Sequence, residues 1–96
     1  MSRVFRALAD PTRRKVLTLL RGGPLSAGDL ASHFEISKAT MSAHFAVLRE
    51  ADLVTSSKHA TTVLYYLNLS VLEDALLEFA RLFGIQTSPT QSEELQ

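Results

Sequence analysis

The side chains best equipped for chemistry fall in one short run: Ser37, Lys38, Thr40, Ser42 and His44. Hydroxyl, ammonium and imidazole groups of this kind hydrogen-bond the base edges and phosphate oxygens of a duplex. The same types also build nucleophile and base pairs. Ser42 and His44, however, are two positions apart, and on a helix they project about 200° from each other, so they cannot share a proton. No glycine-rich phosphate loop and no general-acid pair accompanies them. The chain contains no cysteine, which removes disulfides, thiolate metal or metalloid sites, thiol redox sensing and a cysteine nucleophile. An enzyme is not expected. Ala39 and Ala43 lie between the polar residues and keep that surface slim enough to approach base edges and touch thymine methyl groups.

The elements that hold this run must fit in one domain, because the chain has 96 residues. At 46% hydrophobic and 21% charged it is too apolar for a wholly disordered protein. Its formal charge is zero, but the charges are unevenly spread. Residues 1–67 hold nine Lys or Arg against five acids, a net +4, and residues 68–96 hold one against five, a net −4. The first two thirds can meet a polyanion while the last third meets something else. The longest apolar run, residues 63–67, is far short of the roughly 20 residues that span a bilayer, and the start carries no apolar signal segment. A cytoplasmic protein without stable membrane insertion is expected.

Local signals divide residues 1–84 into helices and one hairpin. Val4, Phe5 and Leu8 mark a short first helix. Asp10-Pro11 starts a second, since Asp accepts from free amides and Pro at the first position gives up only a donor that had no partner. Val16, Leu17, Leu19 and Leu20 are its stripe, and Gly22-Gly23-Pro24 ends it. Ser26 caps a third helix over about residues 27–33, anchored by Leu30, and Ser37 caps a fourth with Met41, Phe45, Val47 and Leu48 as its apolar positions. Two short helices so closely joined make a helix-turn-helix. Residues 53–58 and 63–67 read as the strands of a β-hairpin, with one of Tyr65 and Tyr66 in the core. Asn68 or Ser70 begins a last helix over about residues 71–83, closed by Gly84. Residues 86–96 are polar and carry Pro89, and residues 85–96 are expected to be a disordered tail.

The order is that of a winged helix, mainly α with one hairpin, in which the second helix of the helix-turn-helix enters the major groove and the hairpin reaches along the backbone. The last helix is apolar over more of its circumference than one core requires, through Val71, Leu72, Ala75, Leu76, Leu77, Phe79, Ala80, Leu82 and Phe83. A homodimer is expected through Val4, Phe5, Leu8, Leu72, Leu76, Leu77, Phe79, Ala80 and Phe83. Arg13, Arg14 and Lys15 are either a phosphate-facing patch or a solvated helix start.

Two separated motifs carry a resemblance. Phe5-Arg6-Ala7-Leu8-Ala9-Asp10-Pro11-Thr12-Arg13-Arg14-Lys15-Val16-Leu17 resembles the opening signature of ArsR/SmtB-family winged-helix repressors. Ser37-Lys38-Ala39-Thr40-Met41-Ser42-Ala43-His44-Phe45-Ala46-Val47-Leu48-Arg49-Glu50-Ala51 is similar to their recognition helix. Leu53-Val54 and Tyr65-Tyr66-Leu67-Asn68 match the strands beyond, so the resemblance spans about residues 3–84 and looks most like the SdpR-like autorepressor branch. It implies a homodimer paired through first and last helices, bound to double-stranded DNA at an imperfect palindrome and blocking transcription, including that of its own operon. By position, Ser37, Lys38, Thr40, Ser42 and His44 would read bases or adjacent phosphates, and Lys58 and His59 would hold backbone.

The chain departs from the family at two places. Its hairpin tip, Lys58-His59-Ala60-Thr61-Thr62, lacks the family's usual Gly and Arg, and Asp52 stands where a Gly usually follows the recognition helix. The family's thiolate site would fall near Ala27-Gly28-Asp29-Leu30, which has no cysteine, and its last-helix zinc site needs histidines where this chain has only Glu73, Asp74 and Glu78. No metal or other cofactor is therefore expected. The releasing signal stays open between a membrane-protein partner and a small molecule. Two other readings remain, a metal- or small-molecule-responsive repressor and a winged-helix protein-interaction module that does not bind DNA; salt dependence separates the last from DNA binding.

Overall fold

The computed structural model describes residues 2–86. In chain order these are α1 (Ser2–Leu8), α2 (Pro11–Leu20), β1 (Leu25–Ser26), α3 (Ala27–Ala31), α4 (Lys38–Glu50), β2 (Val54–His59), β3 (Thr62–Leu67) and α5 (Leu69–Leu82). The tail expected over residues 85–96 lies outside the described residues from 87 onward.

Helices α2, α3 and α4 each begin where a side chain accepts from a free amide. Asp10 accepts from the Arg13 amide at 3.0 Å with Pro11 at the first helical position, Ser26 accepts from Asp29, and Ser37 accepts from Thr40. Asn68 sits at the N-terminal boundary of α5 without a side-chain cap, and Ser70 lies inside that helix, where its hydroxyl donates to the Asn68 side-chain oxygen Oδ1. The third helix is shorter than expected because the Ser32 hydroxyl donates to the Asp29 carbonyl and the chain turns there.

Helix ends are equally specific. After α4, Asp52 is left-handed at φ 59°, its amide donates to the Arg49 carbonyl, and the Leu53 amide donates to the Leu48 carbonyl. This is a Schellman closure with aspartate in the position glycine favours, and Leu48 and Leu53 are both fully buried beside it. Gly84, at φ 67°, closes α5 in the same way, with Ile85 donating to Ala80.

The sheet has three antiparallel strands in the order β1-β3-β2. The hairpin β2–β3 pairs Val54 with Leu67 through His59 with Thr62, and the two-residue β1 adds Leu25 opposite Tyr65 and Ser26 opposite Leu64. A third strand was not expected. Ala60 takes φ 56° at the first of the two turn residues, a site where glycine is at ease and alanine is strained.

The core joins Val4 and Ala7 of α1, Val16, Leu17 and Leu20 of α2, Leu30 of α3, Met41, Phe45 and Leu48 of α4, and Tyr65 of β3. Phe45 stacks on Tyr65 with ring centroids 4.7 Å apart, which locks the helix-turn-helix to the sheet. Tyr65 is the buried member of the tyrosine pair, and Tyr66 is half-buried with its hydroxyl accepting from Ser57.

Three stability measurements test this reading. Asp10→Ala should lower stability by about 1 kcal/mol, whereas Asp10→Asn should keep the cap. The hydrogen bond from the Arg13 amide, aided by the Arg13 charge and opposed by partial burial, holds the Asp10 carboxyl below its ordinary value. Its electrostatic contribution is therefore complete above pH ~4 and is lost as pH falls through the lower folded-state value, so Asp10→Asn should flatten urea-unfolding stability in that acidic window. Ala60→Gly should raise the unfolding midpoint, by up to about 1 kcal/mol in stability, through relief of the left-handed alanine.

Candidate nucleic-acid interface

Helix α4 is two-faced. Met41, Phe45 and Leu48 are buried, and Lys38, Ala39, Thr40, Ser42 and Ala43 are exposed. The burial period of the apolar residues forces the polar residues outward, so these five candidates share the solvent-exposed side of one rigid helix, with Lys38 and Thr40 at its opposite edges. Ser37, also exposed, is committed at the helix start, since its oxygen accepts from the Thr40 amide at 3.2 Å and its hydroxyl donates to the Thr40 hydroxyl at 3.0 Å.

His44 is placed differently. It is half-buried, and its Nδ1 lies 3.0 Å from Arg13 Nη1 and 3.9 Å from a carboxylate oxygen of Asp10. Arg13 is equally engaged: Nε donates to the Ala7 carbonyl at 2.9 Å and Nη2 to the Arg6 carbonyl at 3.1 Å. Arg14 Nη1 donates to the Leu8 carbonyl at 2.8 Å. Two cations thus satisfy the last carbonyls of α1, where partial negative charge gathers. Between a phosphate-facing patch and a solvated helix start, the structure supplies a third role, the joining of α2 to α1. Its sequence signal was the pair of arginines just after a helix break.

The wing carries Lys58 and His59 exposed at the end of β2, with His59 Nε2 3.0 Å from the Ser57 hydroxyl oxygen. Asp52 and Ala60 both occupy left-handed backbone, at φ 59° and 56°.

Leu76, Leu77 and Phe79 of α5 and Phe83 just after it are exposed, and Phe5 and Leu8 of α1 and Leu72 of α5 are half-buried. Val4 and Ala80, also on the expected dimer face, are buried by the chain's own packing, at 6% and 5% exposed. Leu69, Leu82 and Ile85 are further exposed apolar residues that were not on the expected face. Phe79 lies 4.8 Å from Phe5 and 4.9 Å from Phe83, centroid to centroid, so the apolar face runs from α1 onto the end of α5. Among the described residues no group of three His, Asp or Glu side chains could hold a metal ion, and no helix is long and apolar enough to cross a membrane.

Comparison with known proteins agrees with this geometry. Residues 8–57 match a family model described as a helix-turn-helix domain. The chain is 45% identical over 76 residues to the transcriptional repressor SdpR of Bacillus subtilis, covering 79% of this chain and 84% of that protein. It is 38% identical over 73 residues to the arsenical resistance operon repressor of Staphylococcus xylosus, covering 76% and 70%. Among solved structures, an ArsR-like transcriptional regulator from Rhodococcus superposes with a TM-score of 0.76 at 29% identity, over 86% of this chain and 78% of that one. The chain belongs to the ArsR/SmtB family of winged-helix transcriptional repressors, on its SdpR-like branch, a family that binds DNA and catalyses nothing.

Proposed function

We propose that the protein is a homodimer that clasps a second copy through α1 and α5 and represses transcription from an imperfect palindrome in its own promoter. The observation that carries the dimer is the apolar face of Leu76, Phe79, Leu82 and Phe83, which one chain leaves in water. The aromatic line from Phe5 through Phe79 to Phe83 extends that face across both helices. A two-fold pair presents two copies of α4, and a palindromic site mirrors that symmetry.

In this reading Lys38 holds phosphate, Ser42, Thr40, Ala39 and Ala43 face base edges, and Ser37 orders the helix start that brings them in. Lys58 and His59 reach backbone from a wing that lacks arginine, so the wing contributes less electrostatic binding than the helix. Residues 1–84 act as one DNA-binding and dimerisation unit in the cytoplasm. Autoregulation rests on the resemblance to the SdpR-like branch. Release by a membrane-protein or small-molecule anti-repressor fits the missing metal ligands.

Sedimentation and binding to the chain's own upstream region test the two parts. Phe79→Asp should convert dimer to monomer and lower DNA affinity at least tenfold; a wild-type chain that sediments as a monomer at micromolar concentration contradicts the proposal. Lys38→Ala should weaken binding similarly on all sequences and reduce the salt slope by about one. Ser42→Ala should instead cost roughly 1–3 kcal/mol of discrimination at one base step, read by titrating single-base operator variants.

A further inference from the structure

We infer that His44 and Arg13 form a positioning clamp that fixes the angle of the DNA-reading helix, and that His44 acts through Arg13 rather than by reading a base. The inference rests on the DNA-binding reading above but concerns a contact inside one chain. Among the described residues, the pair of Arg13 Nη1 and His44 Nδ1 is the only side-chain hydrogen bond joining α4 to another helix. The other contacts between α4 and its neighbours in the core are apolar, and apolar packing is non-directional.

The chemistry of the pair assigns the proton. A guanidinium only donates, so Nδ1 must accept, the ring is neutral in this geometry, and its hydrogen sits on Nε2. The guanidinium is in turn anchored twice on α1, at the Arg6 and Ala7 carbonyls, and its planar fork fixes all three directions at once. Asp10 holds the arginine end of the corner, its carboxylate oxygen accepting from the Arg13 amide at 3.0 Å. A helix held in this way cannot roll about its apolar seam without breaking a charge-assisted hydrogen bond. The same guanidinium grips α1, whose Phe5 packs on Phe79 of α5, so the reading helix is referenced to the face proposed for pairing.

The test uses the full chain with His44→Ala, His44→Asn and Arg13→Gln. Asn carries an acceptor oxygen in the place of Nδ1, yet it is a poorer helix former than Ala, so its recovery of function isolates the acceptor. His44→Ala and Arg13→Gln should each weaken binding about tenfold, equally on the upstream region and on its single-base variants, as expected for loss of a hydrogen bond to a charged group. His44→Asn should return to within about threefold of wild type. Nitrogen NMR of the free protein at neutral pH should show His44 neutral with Nδ1 unprotonated, and residual dipolar couplings should show α4 rotated against α1 in His44→Ala but not in His44→Asn. A changed preference at one base step in His44→Ala makes His44 a base reader and overturns the clamp. A protonated Nδ1, or an unmoved α4 in His44→Ala, overturns it as well. The NMR measurements need no DNA, so failure of wild type to bind its upstream region would reject the functional reading while the clamp is still judged by the ring and the helix angle.

Discussion

Helix α4 has to bury Met41, Phe45 and Leu48, and that demand governs most of what the molecule can do. These three side chains meet Leu17, Leu20 and Leu30 from the preceding helices and Tyr65 from the sheet in a single core. Burying one face of a helix decides what the other face offers. Here it offers Lys38, Ala39, Ser42 and Ala43, small or charged residues that fill no core and leave room for a close approach to another surface. The short turn between α3 and α4, begun by Ser32 and ended by Ser37, can be tight because both of its ends are satisfied by serine hydroxyls.

The opening motif makes sense as a corner. Asp10 starts α2, Pro11 occupies the one helical position that needs no donor, and Arg13 and Arg14 turn back to the final carbonyls of α1. A cation at a helix C-terminus and an anion at a helix N-terminus, three residues apart in sequence, complement two macrodipoles together. The corner then touches α4 through His44, which ties the local chemistry of one loop to the orientation of a helix thirty-one positions away.

Much of this was legible in the sequence, and the reason is locality. The caps at Asp10, Ser26 and Ser37 and the closure at Gly84 involve residues three to five apart, so spacing alone reveals them. The left-handed backbone at Asp52 was legible only through the resemblance, because aspartate by itself does not demand it. The strand Leu25–Ser26 was hidden, since two residues have no periodicity and their partner, β3, lies about forty residues away. Val4 and Ala80 are already covered within one chain, which the sequence did not show, because an apolar residue announces burial without saying by which neighbour. Arg13 and His44 were visible as residue types, but the contact that gives each its direction exists only after the fold has formed.

The central claim is that the outward face of α4 works in pairs, set by the two-fold joining of α1 and α5. Methylation interference at guanine N7 on the chain's own upstream region tests it most directly, because N7 lies in the major groove where a recognition helix must sit. The account predicts two clusters of interference about 10 base pairs apart, related by a two-fold axis and lying on one face of the duplex. A single unpaired cluster, or strong binding with no interference in the major groove, would contradict it.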